Sequence, residues 1–334
     1  MPVKSSIVGP PRREWGTVAG CDMSNVNPLT QHGFLERPVT RDLSEISVDA
    51  AILGAPYDLA TTGRAGTREG PQGIRRASWQ MSWETRRWPW RFALGERLSV
   101  IDYGDIVFDP GDNAQMVEVL QNDAREVIAA GKKLLTLGGD HYISLPLVRE
   151  HAALHGPVSL IHFDAHTDTE PIEGVYNHGS MFRKALEEGL IDPAHSVQIG
   201  IRTEYEYDDH PFTVLNASRV NADPVEQTGE EIRRIVAETP AYLTFDIDCL
   251  DPAYAPGTGT PVPGGLTTDR ALGILRELVG CKLIGMDVVE VAPAYDHSEI
   301  TALAAATIAI EMLYVVAAKP ADLAQVRTDG AGEA

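Results

Sequence analysis

The amino-acid sequence predicts an α/β fold, a parallel sheet covered by helices on both faces. Three observations lead there. From about residue 48 onward, short apolar runs alternate with segments of helical period, the pattern of strands joined by crossover helices. Three of those runs end directly in Asp- and His-bearing motifs, and ligands of open parallel sheets sit outside the carboxyl ends of strands. A chain of 334 residues, 43% of them hydrophobic, has ample material for one large core.

In order along the chain, residues 1–46 are rich in Pro, Gly and Asn, lack a steady period, and read as an N-terminal arm. The runs 50–54 and 98–102 are the first buried strands. Met116, Val117, Leu120, Ala124 and Val127 fall at helical spacing, and Gly131 follows as a stop. Strand 133–137 leads to a helix near 143–155, and strand 158–163 leads through an acidic loop to a helix at 179–188. Segments 197–201 and 212–215 are short strands. A helix at 230–238 precedes strand 242–246, and a helix at 271–279 precedes strand 283–287. A long apolar helix from about residue 299 closes the unit. No repeat or Gly/Ser linker interrupts this alternation, so 47–318 reads as a single domain and 319–334 as a flexible tail.

The chain carries 48 acidic and 28 basic side chains, a net charge of −20. That excess argues against nucleic-acid or anionic-membrane partners and suits a small cationic substrate. Cys21, Cys249 and Cys281 form no disulfide framework, which points to a reducing cytosol. Cys249 alternates away from the acidic pair beside it and reads as a small core residue. Lys4, Arg12 and Arg13 precede no apolar segment, so no signal peptide is expected. The longest apolar stretch, Ala302 to Ala318, contains Glu311 and reads as a buried core helix, not a membrane span.

The chemistry lies at three strand ends. Leu134–Leu137 runs into Gly138-Gly139-Asp140-His141, Val158–Phe163 into Asp164-Ala165-His166-Thr167-Asp168, and Tyr242–Phe245 into Asp246-Ile247-Asp248. Strand side chains alternate faces, which predicts that Asp164, His166 and Asp168 converge on one point, as do Asp246 and Asp248. Four carboxylates and two imidazoles at one sheet edge repel one another and desolvate badly without cations. Two divalent ions would balance the four negative charges. An oxygen- and imidazole-rich set without thiolate suits Mn²⁺. Two adjacent ions can share a hydroxide, lower its pKa and stabilise a tetrahedral intermediate. His162 falls off this register and reads as a core histidine or one that contacts a ligand.

These motifs resemble the ureohydrolase (arginase–agmatinase) family and are most similar to its bacterial agmatinases. The likeness also takes in 66–75 (Gly-Thr-Arg-Glu-Gly-Pro-Gln-Gly-Ile-Arg), 256–265 (Pro-Gly-Thr-Gly-Thr-Pro-Val-Pro-Gly-Gly) and 285–293 (Gly-Met-Asp-Val-Val-Glu-Val-Ala-Pro), and it spans roughly 48–318. It implies a three-layer α/β/α domain with an eight-stranded parallel sheet, two Mn²⁺ per chain, release of urea, and trimers or hexamers. Carried over by motif, His141 and Asp168 would bind one ion, His166 and Asp248 the other, and Asp164 and Asp246 would bridge.

Further residues follow from chemistry and resemblance together. Glu290, just past strand 283–287, offers a carboxylate that can bind a guanidinium bidentately, unless it is a solvated loop acid. His178, in Tyr-Asn-His-Gly, matches the family's proton-shuttling histidine, and a departing amine needs a proton; an unrelated surface histidine is the alternative. Thr260 either hydrogen-bonds substrate or a metal-bound water, or simply turns the chain. Asp251 and Pro252 shape the loop of Asp248. The segment 83–90, with Trp83, Trp88 and Trp90, frames the pocket mouth or serves packing or a subunit contact.

Substrate choice rests on the loop after Asp168. Arginases continue their motif with Ile-Asn and recognise an α-carboxylate; here 169–177 holds Glu170 and Glu173 and no basic residue. Agmatine, cleaved to putrescine and urea, therefore fits best, with Glu170 near its ammonium end. A guanidino-acid hydrolase such as 4-guanidinobutyrase stays open, and an arginase fits less well. From other classes, a mononuclear zinc deacetylase and a non-catalytic metal-binding interaction protein are the alternatives.

Overall fold

The computed structural model describes residues 32–44, 47–171, 174 and 176–331. Most of the expected arm, Glu173 of the acidic loop and the last residues of the tail lie outside them. Eight strands form one parallel sheet: β1 (Ala50–Ala55), β2 (Val100–Asp105), β3 (Lys133–Gly138), β4 (Ser159–Phe163), β5 (Val197–Ile199), β6 (Thr213–Leu215), β7 (Ala241–Asp246) and β8 (Leu283–Val289). Their spatial order is β2-β1-β3-β8-β7-β4-β5-β6. After β3 the chain skips sideways to β4, and β7 and β8 later fill the gap. The strands β3, β8, β7 and β4 are thus neighbours, and all point their carboxyl ends the same way.

Helices cover both faces, as the alternation predicts. On one side lie α1 (Gly70–Ser78), α6 (Val225–Val236), α7 (Thr268–Arg276) and α8 (Ile300–Ala317), over a core that includes Leu135, Leu137, Ile161, Phe163, Leu243 and Phe245. On the other lie α2 (Asn113–Ala129), α3 (Ser144–His155) and α4 (Met181–Glu187), over Leu134, Leu160 and Tyr242. Neighbouring strand residues face opposite cores because the pleat has period 2, and strands buried on both faces read as continuous apolar runs. A short α5 (Ala217–Ala222) links β6 to α6.

Local signals start and stop these helices. Asp112 accepts the Gln115 N–H at the head of α2, and Thr267 accepts the Arg270 N–H at the head of α7. Asp296 takes the Thr301 and Ala302 N–H groups of α8. α8 is mostly buried, and its Glu311 is paired inside the protein with Arg276 at 2.8 Å and the Trp90 indole at 2.9 Å. Trp90 stacks on Tyr314 of that helix, so this part of segment 83–90 packs on α8, whereas Trp83 and Trp88 are exposed.

Two stretches differ from expectation. Segment 70–78, to which the sequence pattern assigns no element, is α1, opened by Pro71. Its Arg75 is buried and paired with Asp102 at 2.7 Å and with Asp105, tying α1 to β2. The flexible tail expected at 319–334 is instead α9 (Pro320–Ala331) over its described length. Arg97 clasps Asp322 at 2.6 Å, Arg327 reaches Glu277, and Leu323 is buried, contacts that a sequence window cannot register. The described part of the arm lies on the body, where buried Phe34 donates its N–H to Asp102.

One core residue gives the fold a pH response. His151 of α3 is buried against Tyr242, and among the described residues neither ring nitrogen has a hydrogen-bond partner. Burial first, then His155 and Lys133, lower its pKa from 6.5 to about 3. The unfolded chain then binds a proton that the fold refuses. The stability present above pH 6.5 is lost as pH falls from 6.5 towards 3, by up to about 2 kcal/mol at pH 5. His151→Leu should therefore show a smaller drop in urea midpoint between pH 7 and 5 than the native chain; equal drops would refute this origin.

Candidate metal centre

Each ligand-type residue sits where a strand stops. After β3, Gly139 donates its N–H to Ala55 O and Asp140 to Tyr57 O, both at 2.8 Å, pinning the turn against the chain after β1. A side chain at Gly139 would bring its Cβ to 1.8 Å from Tyr57 O. Asp140 then accepts the Ala60 and Tyr142 N–H groups, so it ties loops together while His141 faces the centre.

After β4 the pleat ends at Phe163, and residues 164–168 form a folded loop. The expected alternation of Asp164, His166 and Asp168 is thus replaced by a turn. Asp164 Oδ1 accepts the His166 N–H at 2.6 Å, and Asp168 takes a left-handed φ of 53°. β7 likewise ends at Asp246, and 247–249 is a single 3₁₀ turn in which Asp246 accepts the Asp248 N–H at 2.8 Å. The residues converge as predicted, but by capped turns and not by strand alternation.

The six predicted residues come together. His141 Nδ1 lies 3.1, 3.0 and 3.3 Å from carboxylate oxygens of Asp164, Asp168 and Asp246. His166 Nδ1 lies 3.3 Å from Asp164 and 3.1 Å from Asp248. Two groups with metal-like spacing result, one of His141, His162, Asp164 and Asp168, the other of Asp164, His166 and Asp248, sharing Asp164. Five of the six residues are buried; the His166 side chain, 29% exposed, marks the open side.

The electrostatics call for cations. Burial raises the pKa of Asp246 well above the usual range, and Asp248 and Asp164 raise it further. Burial opposes charge on His141, yet Asp164, Asp168 and Asp246 hold it well above its ordinary value. His166 is likewise pushed up to about 12, burial lowering it but Asp248 and Asp164 prevailing. Protons can thus stand in for metal charge. The tautomer tells more: His141 Nε2 sits 2.8 Å from Thr244 Oγ1, which donates to Asp287, and Asp287 also takes the hydroxyls of Tyr242 and Ser144. Nε2 therefore carries a proton towards Thr244, which leaves Nδ1, buried and within 3.3 Å of three carboxylates, as the ring atom a metal can take once it displaces the proton there. Such an arrangement fits a divalent ion between them.

Beside the centre, Glu290 follows β8 with a φ of 65°. Its Oε1 accepts the His141 N–H and faces His178 Nδ1, both at 2.8 Å, while its buried Oε2 has no partner among the described residues. It is no solvated loop acid. His178 is buried too, and its Nε2 meets the Thr62 N–H at 2.8 Å and Oγ1 at 2.7 Å. Burial lowers the His178 pKa, but Glu290 brings it up to about 9. Nδ1–H donates to Glu290 in either charge state, while the Thr62 N–H aimed at Nε2 opposes a second proton there and works against that upward shift. Thr260 Oγ1 donates to Asp248 Oδ2 at 3.2 Å. Glu170 is exposed and lines a cavity of about 630 Å³ together with Thr167, Thr169, Glu204, Arg183 and His210. Arg183 comes from α4, a basic neighbour that the loop sequence alone did not reveal.

Other participants were invisible in the motifs. Arg202 donates to the carbonyls of Gly200, Asp248, Cys249, Leu250 and Val262, clamping the turn of Asp248. Asp251, expected to shape this loop, accepts the Gly264 and Gly265 N–H groups. Thr61 and Thr62 come from the loop after β1. Single polar residues in loops carry no periodic signal, and only contacts across the fold reveal them.

This geometry, an oxygen-rich double cluster beside a buried carboxylate with one oxygen to spare, is of the metal-dependent hydrolase type. Residues 48–314 match the arginase family. An agmatinase of Edwardsiella ictaluri is 58% identical over 287 residues, 86% of this chain and 94% of the relative. Among solved structures, a hypothetical agmatinase of Burkholderia thailandensis has a TM-score of 0.81 at 50% identity, over 90% of this chain and 91% of that one. The proclavaminate amidino hydrolase of Streptomyces clavuligerus has a TM-score of 0.80 at 38% identity, over 86% of this chain and 97% of that one. The chain belongs to the arginase family and is an enzyme of the ureohydrolase kind.

The turn of Gly139 supplies a test of how tightly the centre is built. Gly139→Ala should cost about 3 kcal/mol or more by overpacking against Tyr57. Gly131→Ala, at a site with no described atom within 4 Å, should lose only the smaller penalty of its positive φ of 74°. Thermal midpoints of the two variants should separate clearly; equal midpoints would show that the loop yields.

Proposed function

We propose that this enzyme hydrolyses agmatine to putrescine and urea with two Mn²⁺ ions per chain. The observation that carries the reading is the free Glu290 Oε2, buried beside an acidic double cluster in a chain that is 58% identical to an agmatinase. His141 and Asp168 would hold one ion, His166 and Asp248 the other, with Asp164 and Asp246 between them. When bound, the ions supply a nucleophile from water near neutral pH and offset negative charge as it develops. Glu290 holds the guanidinium by charge-assisted hydrogen bonds. The buried Thr61 Oγ1, also without a partner, lies on the same side of Gly259 and adds an acceptor there.

The reaction adds one water across a C–N bond: the water oxygen bonds to the guanidinium carbon, and the alkyl nitrogen leaves with a proton. His178 moves that proton at Nε2, the atom faced by the Thr62 hydroxyl. Thr260 keeps Asp248 in place. Glu170 and the acidic cavity it lines favour a substrate ending in an ammonium. The enzyme is read as a cytoplasmic homo-oligomer acting on a small cationic guanidine.

A second reading is favoured by two observations. Arg183 lines the same cavity, and the Streptomyces relative is named for a guanidino acid. A guanidino acid such as 4-guanidinobutyrate is therefore the competing substrate. Urea release by the manganese-loaded enzyme should show the highest kcat/KM for agmatine and a poor one for arginine, because Glu170, Glu204 and Glu206 repel a carboxylate and Arg183 already faces Glu187 and Glu206. Preference for 4-guanidinobutyrate would replace the substrate and leave the chemistry. Asp248→Asn should retain less manganese and lose activity with every substrate; unchanged metal content and activity would refute the ligand set.

His178→Ala should retain both ions and lose about 10²–10⁴-fold in kcat. Metal analysis and urea release on the same preparation check this. Turnover equal to wild type at every pH would remove His178 from proton transfer.

A further inference from the structure

Asp164, the carboxylate common to both clusters, is held from behind by a chain of buried polar side chains that the reaction does not use. His162 on β4 and Gln198 on β5 are register partners and both fully buried. His162 Nε2 lies 2.7 Å from Asp164 Oδ2. Gln198 Nε2 donates to Thr167 O at 2.7 Å and lies 2.9 Å from His162 Nδ1. Gln198 Oε1 lies 2.6 Å from Nε2 of half-buried His210. Phe182 packs edge-on against His162, 4.7 Å between centroids, and fixes the ring plane.

These contacts admit one consistent set of protons. The Thr167 carbonyl can only accept, so the carboxamide nitrogen of Gln198 faces it. The second carboxamide hydrogen then points at His162 Nδ1, which must accept. The His162 proton therefore sits on Nε2 and donates to Asp164. A protonated Nε2 cannot coordinate a metal, which takes His162 out of the four-residue group as a ligand. At the far end His210 donates to Gln198 Oε1.

We propose that His162 and Gln198 are positioning residues: Gln198 sets the His162 tautomer, and the His162 N–H orients the Asp164 carboxylate for the two ions. This rests on the two-metal reading above. Carboxylate partners of this kind change metal affinity about 10–100-fold when removed.

The test is a chelator-competition titration of metal-free, full-length protein with Mn²⁺, alongside the electron paramagnetic resonance spectrum of the bound pair. His162→Phe and Gln198→Leu should each bind Mn²⁺ about 10–100-fold more weakly and change the spectrum. KM should stay within about twofold, because Glu290 is untouched. His162→Gln places an N–H near the position of Nε2 and should recover most of the affinity, a rescue that a packing role would not give. Wild-type affinity and spectrum in His162→Phe, or His162→Gln no better than His162→Phe, would overturn the proposal. If His162→Phe does not fold, Gln198→Leu decides alone: unchanged affinity overturns it. Wild-type protein that binds no manganese pair would instead sink the two-metal reading, and this proposal with it.

Discussion

Four carboxylates buried within a few ångströms of one another are the constraint on which this structure turns. Asp164, Asp168, Asp246 and Asp248 cannot all be charged in a dry site without compensation, because desolvation and mutual repulsion add. Protons on His141 and His166 relieve part of that load in the metal-free chain. Divalent ions would relieve it more fully and free both imidazoles to coordinate. Much of the surrounding structure keeps these groups from moving apart. Arg202 spans five carbonyls under the turn of Asp248, and Asp287 gathers three hydroxyls behind His141.

The sheet topology makes such crowding possible. Because β7 and β8 return to fill the space between β3 and β4, four adjacent parallel strands deliver their carboxyl ends to one place. Each strand contributes through a turn of its own: His141 after β3, Asp164 to Asp168 after β4, Asp246 and Asp248 at the end of β7, Glu290 after β8. Rigid strands fix the position of each turn, and capped turns fix the direction of each side chain.

In the proposed reading, the groups that would meet the substrate stand apart from this rigid base. Glu290 and His178 form a unit with the loop after β1 through Thr62, while Glu170, Glu204 and Arg183 come from loops and a short helix outside the sheet. A family can therefore keep one hydrolytic centre and exchange the groups that meet the far end of the substrate. The likeness of this chain both to agmatinases and to a proclavaminate amidino hydrolase accords with that division.

Much of this was legible in the sequence. The strand runs are continuous because parallel strands are buried on both faces, so all eight were found near their observed ends, and His141, Asp164, His166, Asp168, Asp246 and Asp248 stood out by their place at those ends. What stayed hidden depends on contacts between distant segments. α1 and α9 are placed by contacts across the fold: Arg75 on Asp102 with Ile74 and Ala77 in the core for one, Arg327 on Glu277 with buried Leu323 for the other. The convergence of Asp164 with Asp168 was expected from alternation, yet a left-handed turn at Asp168 brings it about. Sequence alone determined which chemical groups are present and which strand end carries each. Only the tertiary structure decided which nitrogen of His141 and of His162 holds its proton, because a tautomer is set by the partner across the fold.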